Sequence, residues 1–137
     1  MARTIGNSKM KKSIMLYLFL GGLTLIAVGS FISFTPSFYL AQFIQTSELS
    51  ADILSEMRGM GGTMSVFGLF ILVGSFKTKL TKTALSMSIL IFSSFFVFRC
   101  VGIVVDGMPN NAILAALGLE MVFAGLGITL WLNRRLP

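Results

Sequence analysis

A guanidinium and a carboxylate, Arg99 and Glu120, lie inside apolar stretches long enough to span a bilayer. Each isolated charge costs roughly 2.5–3.5 kcal/mol at the centre of a membrane helix, so it needs a partner, water or a task. Arg58, Asp106 and Glu56 are the charged residues to group with them; Glu48 and Asp52 complete the five acids of the chain. Three chemistries are open to this set. Arg99 and Glu120 can form an ion pair, joined by Arg58 and Asp106, that fixes helix register; buried pairs stabilise little but can specify an arrangement. The arginines can instead line a polar pocket, open to the outside, that holds a carboxylate or phosphate while the acids orient it or exchange protons. Thirdly, Glu120 can carry a proton along a conduction or transport path, although no ionisable residue continues that path through the inner half of the bilayer.

Other chemistries find few residues. The chain has no histidine and one cysteine, Cys100, so Ser-His-Asp and Cys-His arrangements, Cys/His metal patterns and an internal disulfide are excluded. Glu120 or Asp106 can serve as general acid or base in a pocket, but no nucleophile, metal or cofactor motif accompanies them. No cofactor and no metal is expected. Met57, Met60 and Met64 share a helix face, with Met108 and Met121 near the same end, and thioether clusters can hold Cu(I). Nine methionines in so apolar a chain read first as adaptable packing. Arg58-Gly59-Met60-Gly61-Gly62 is not a nucleotide-binding loop, since no strand precedes it.

The elements that must position these groups are membrane helices. Of 137 residues, 55% are hydrophobic and 12% charged, and the mean hydropathy is +0.88; soluble domains average about 25% charged. Four spans of about 20 residues, the length a bilayer core demands, fall near 14–34, 59–76, 84–105 and 112–132. They make one four-helix transmembrane domain, an all-α membrane bundle. The first apolar run is longer than a signal-peptide core and lacks a small-residue cleavage site before Pro36, which marks it as a retained helix. The net charge of +6 comes from basic residues flanking the spans, which fits lipid headgroups and orientation and argues against nucleic acid. Arg3, Lys9, Lys11 and Lys12 precede the first span, Lys77, Lys79 and Lys82 join the second to the third, and Arg134 and Arg135 follow the fourth. The positive-inside rule then sets both termini in the cytoplasm.

The long connection from Pro36 to Met57 is therefore external. Thr35-Pro36 ends the first span, because proline disfavours helix at the residue before it. Phe38, Tyr39, Leu40, Phe43 and Ile44 suit an interfacial segment lying against the headgroups. Ser47 is the expected cap of a helix that carries Glu48, Asp52 and Glu56 as an acidic stripe and runs straight into the second span. The third and fourth spans meet through Asp106-Gly107-Met108-Pro109-Asn110-Asn111, with Gly107 ending one helix and Asn111 capping the next. At 1.5 Å per residue, Arg99 lies roughly 10 Å below Asp106 and Glu120 roughly 14 Å below Asn111, similar depths on antiparallel neighbours. Glu120 shares its face with Ala116, Ala124 and Gly127, and Arg58 shares its face with Gly61, Ser65 and Gly68. Gly22, Gly29 and Ser33 form a matching small-residue face on the first span, the pattern that lets membrane helices approach closely.

Pro36-x-Phe38, Glu56-x-Arg58-x-x-Gly61-Gly62, Arg99-x-x-Gly102-x-x-x-Asp106-Gly107-x-Pro109 and Glu120 together resemble a widespread bacterial family of small four-helix membrane proteins catalogued only as a domain of unknown function. The resemblance covers nearly the whole chain. It implies a four-helix fold and shared polar residues at these positions, and it lends no activity. Small multidrug transporters are a weaker comparison, since their membrane glutamate lies in the first span, where this chain has no acid. The first expectation is a bacterial inner-membrane protein with a binding or accessory role. Its pocket, built from Arg99, Glu120, Arg58, Asp106 and Glu56, would engage a small anionic or lipid-like ligand or a partner helix. A proton-coupled transporter acting as a homo-oligomer is the alternative, and a membrane enzyme comes third.

Overall fold

Mean hydropathies between 1.6 and 2.2 persist along four helical spans of 23 to 29 residues, each longer than a bilayer core requires. The computed structural model describes residues 2–44 and 49–133, and among these the chain is wholly helical. Helix α1 runs Ala2–Phe34, α2 Pro36–Leu40, α3 Ala51–Phe76, α4 Thr78–Asp106 and α5 Asn111–Asn133. The four long helices alternate in direction, and α2 is a single short turn at the end where α1 stops and α3 starts.

Local chemistry explains each boundary. Thr35 leaves the helical region at φ −127°, ψ 52°, and Pro36 opens α2 at its first turn, where the missing N–H costs nothing. Ser50 caps α3 by accepting a hydrogen bond from the Ile53 amide at 3.3 Å. Ser47 and Glu48 lie outside the described residues, as do Arg134 and Arg135. From that cap α3 continues without a break into the membrane-length segment. Gly107 ends α4 at φ +94°, a conformation that favours glycine. The next cap is Asn110 rather than Asn111: its Oδ1 accepts from the Ile113 amide at 3.1 Å. Asn111 is instead the first helical residue.

Packing is uneven around the bundle. Helices α1 and α3 are the closest pair, α4 bridges α3 and α5, and α1 touches α4 and α5 more lightly. The α1–α3 contact is backbone against backbone. A Cβ added to Gly22 would stand 2.7 Å from the Leu72 amide nitrogen, and one added to Gly61 would stand 2.6 Å from the Ser33 amide nitrogen. Glycine is required at both because the atoms opposite are backbone or a Cβ, which cannot rotate away. The core holds Ile14, Leu18, Leu25, Ile71, Leu85 and Phe92. The outside is as apolar as the inside: Val104 is 84% exposed, Leu132 76% and Phe98 73%. Such a surface far exceeds the apolar patches that water tolerates and matches a lipid boundary.

Candidate functional site

Arg99 and Glu120 meet as the spacing along α4 and α5 requires. Arg99 Nε donates to both Glu120 carboxylate oxygens at 2.9 Å. The Glu120 side chain is 9% exposed and that of Arg99 26%. Glu120 reaches the interior because its face of α5 carries Ala124 and Gly127, both buried. The Nε edge of the guanidinium is therefore engaged, whereas its two terminal amino groups have no acceptor among the described residues.

Both side chains line a cavity of about 140 Å³ enclosed by all five helices. Thr24, Leu25, Val28 and Ile32 of α1 form one wall. Met60 and Met64 of α3 stand at another, Ala116 and Leu119 of α5 at a third, and Phe92 and Phe95 of α4 complete it. Phe92 stacks on Phe123 with ring centres 4.5 Å apart, which places aromatic carbon beneath the charged pair. Tyr39 of α2 lines the opposite end. It is held edge-on against Phe43 at 5.0 Å and Phe31 at 6.2 Å. Asn110 Nδ2 donates to the Gln42 carbonyl at 3.3 Å, so the α4–α5 turn is tied to the segment that follows α2.

The other candidate residues stand elsewhere. Arg58 is exposed and bound to the end of α1: its Nη1 donates to the Ser33 carbonyl at 2.8 Å, while Ser33 Oγ donates to the Arg58 carbonyl at 3.0 Å. That exchange satisfies a carbonyl in the last turn of α1. Asp106 is exposed at the end of α4, and its carboxylate lies over Gly102 rather than over Arg99. Glu56 is exposed on α3 and lines a separate, larger groove between α3 and α4. Of the five charged residues expected to cluster, the structure brings together Arg99 and Glu120. Among the methionines, Met60 and Met64 reach the cavity, whereas Met108 and Met121 are exposed.

A second polar contact was not anticipated from the sequence. Ser88 Oγ donates to Tyr17 Oη at 3.0 Å, and Tyr17 Oη donates to the Phe123 carbonyl at 3.0 Å. The chain of bonds joins α4, α1 and α5 below the ring stack. Gly127, whose added Cβ would meet Ile89 at 2.8 Å and the Tyr17 ring at 3.0 Å, leaves the space that the phenol fills. Neither Tyr17 nor Ser88 is distinctive alone, and only the pairing of helices reveals the link.

Among the described residues no group of three or more histidine, cysteine or acidic side chains is placed to hold a metal. No curated protein and no solved structure matches the chain. The profile of the family described as Domain of unknown function (DUF4345) matches residues 14–132, nearly the whole chain, and the chain belongs to that family.

Proposed function

We propose that the protein is an integral membrane binding protein whose interior cavity takes a small anionic group on the free edge of the Arg99 guanidinium. The observation that carries this reading is the one-sided use of Arg99. Glu120 occupies Nε alone, and the two terminal amino groups stand beside a cavity without an acceptor among the described residues. Guanidinium forks bind carboxylate and phosphate in paired hydrogen bonds, and a dry surrounding strengthens such contacts. The Phe92–Phe123 stack under the pair favours retention over passage. The protein sits in a bacterial inner membrane with both termini in the cytoplasm, so the cavity lies in the outer half of the bilayer.

The test is thermal unfolding of the protein in lipid nanodiscs with acetate or inorganic phosphate against chloride at equal ionic strength. Binding to the folded state raises stability by about 2.7 kcal/mol at a hundred times the dissociation constant. We expect at least one of the two anions to raise the midpoint of the native protein and to leave Arg99→Met/Glu120→Leu unmoved. Equal shifts in both proteins, or none in either, would remove the site.

A further inference from the structure

A groove of about 940 Å³ runs between α3 and α4 on the flank of the bundle. Its apolar floor includes Phe67, Leu90, Ile91 and Phe98, and Ser94 and Thr63 stand along it. Met60, Met64 and Phe95 line this groove and also line the Arg99–Glu120 cavity. Groove and cavity are thus separated by the thickness of three side chains. Two of the three are methionines, unbranched and able to change rotamer at little cost. Gly59 leaves open space beside them, since an added Cβ there would meet nothing within 4 Å.

The approach from water is more encumbered. Tyr39 caps the cavity, the aromatic contacts to Phe31 and Phe43 hold it, and Asn110 fastens the neighbouring turn to Gln42. The cavity is also small. Pockets for drug-sized ligands span roughly 300–1,000 Å³, so a space of about 140 Å³ takes a compact head and excludes the rest of an amphiphile. The groove has the volume and the lining for that remainder.

Resting on the reading of Arg99 as an anion site, we infer that the ligand is a single-chain amphiphile with a carboxylate head. It enters sideways from the bilayer between α3 and α4, with its head on the Arg99 terminal amino groups and its tail in the groove. The carboxylate matches the one free edge of the guanidinium, and Met60, Met64 and Phe95 alone part the lipid-facing groove from the charged cavity.

The experiment compares acetate, octanoate and palmitate, with dodecanol as the uncharged reference, in thermal unfolding of native protein, Ser94→Trp and Arg99→Met/Glu120→Leu in nanodiscs. Ser94 is exposed in the groove and lies outside the cavity lining, so a tryptophan there blocks the tail without touching the head site. Thr63→Trp repeats the block from α3 should Ser94→Trp fail to fold. We expect octanoate to bind native protein at least tenfold more tightly than acetate, a gain that burial of two methylenes suffices to give. Ser94→Trp should lose that gain and keep the acetate shift, the double variant should lose both, and dodecanol should shift none. Equal acetate and octanoate affinities, untouched by Ser94→Trp, would overturn lateral entry and leave the Arg99 site standing. No anion effect separating native protein from the double variant would overturn both. A change of oligomeric state in Ser94→Trp by native mass spectrometry would assign the groove to a second copy and overturn the amphiphile.

Discussion

At the scale of single residues, the Arg99–Glu120 contact has two separable contributions, charge balance and shape. Removing one partner leaves the other charged in an apolar interior, at a cost of about 3 kcal/mol. Replacing both with apolar side chains removes the desolvation along with the attraction and is close to neutral. We therefore expect Arg99→Met and Glu120→Leu each to lower the unfolding midpoint sharply, and the double variant to recover most of the loss. A double variant as unstable as the singles would mean that the pair stabilises the fold in its own right. Glu120→Gln tests the binding role instead. Glutamine still accepts from Nε but no longer repels a second carboxylate in the cavity, so acetate should bind roughly tenfold more tightly. Weaker binding would place Glu120 among the groups that hold the ligand. The Tyr17 hydroxyl belongs at this scale too. Tyr17→Phe leaves the buried Ser88 hydroxyl without its acceptor and should cost about 1 kcal/mol, more than Ser88→Ala, which leaves the Tyr17–Phe123 bond intact. Thermal unfolding of the two variants side by side gives the order.

At the scale of elements, the glycines divide by what lies opposite them. Gly22→Ala and Gly61→Ala drive a methyl into the backbone of the facing helix, and overpacking of this kind costs roughly 1–3 kcal/mol. Gly118 and Gly125 on α5 meet nothing within 4 Å of an added Cβ. Alanine there should stabilise by about 0.5–1 kcal/mol through the helical backbone alone. A destabilised Gly125→Ala would show that a partner helix covers this face in the membrane. What was legible in the sequence follows the same division. Helix lengths, the break at Thr35-Pro36, the turn at Gly107 and the small-residue faces are local properties and emerge from spacing. The face that Arg58 shares with Gly61, Ser65 and Gly68 was legible; the helix it meets was not. That face packs on α1, which takes Arg58 to Ser33 and away from Arg99. Arg99 and Glu120 could be matched because a four-residue turn, 107–110, fixes α4 and α5 as antiparallel neighbours. The cavity, the groove and their common wall arise from how α3 crosses α4, which no pattern along one chain encodes.

At the scale of the whole molecule, charge is segregated between the two ends of the bundle. Lys11 and Lys12 stand at the start of the α1 span, and Lys77, Lys79 and Lys82 stand at the α3–α4 turn. The opposite end presents α2 with exposed Phe38, and the exposed acids Asp52, Glu56 and Asp106. Lysine-rich connections are retained in the cytoplasm, whereas acids contribute little to orientation, and the proposed topology accordingly turns the lysine end inward. The Arg99 cavity lies near the acidic end, so the proposed orientation would set it in the outer half of the bilayer and draw the proposed ligand from the outer leaflet. Cysteine labelling in intact cells tests this. With Cys100 replaced by serine, a membrane-impermeant maleimide should modify Asn110→Cys and Ser37→Cys but reach Thr78→Cys and Lys12→Cys only after the membrane is opened. The reverse pattern would turn the molecule over, give the cavity to the cytoplasmic leaflet and leave the chemistry at Arg99 unchanged. Labelling of all four before opening would show that two orientations coexist, in which case amphiphile from either leaflet could reach the same guanidinium.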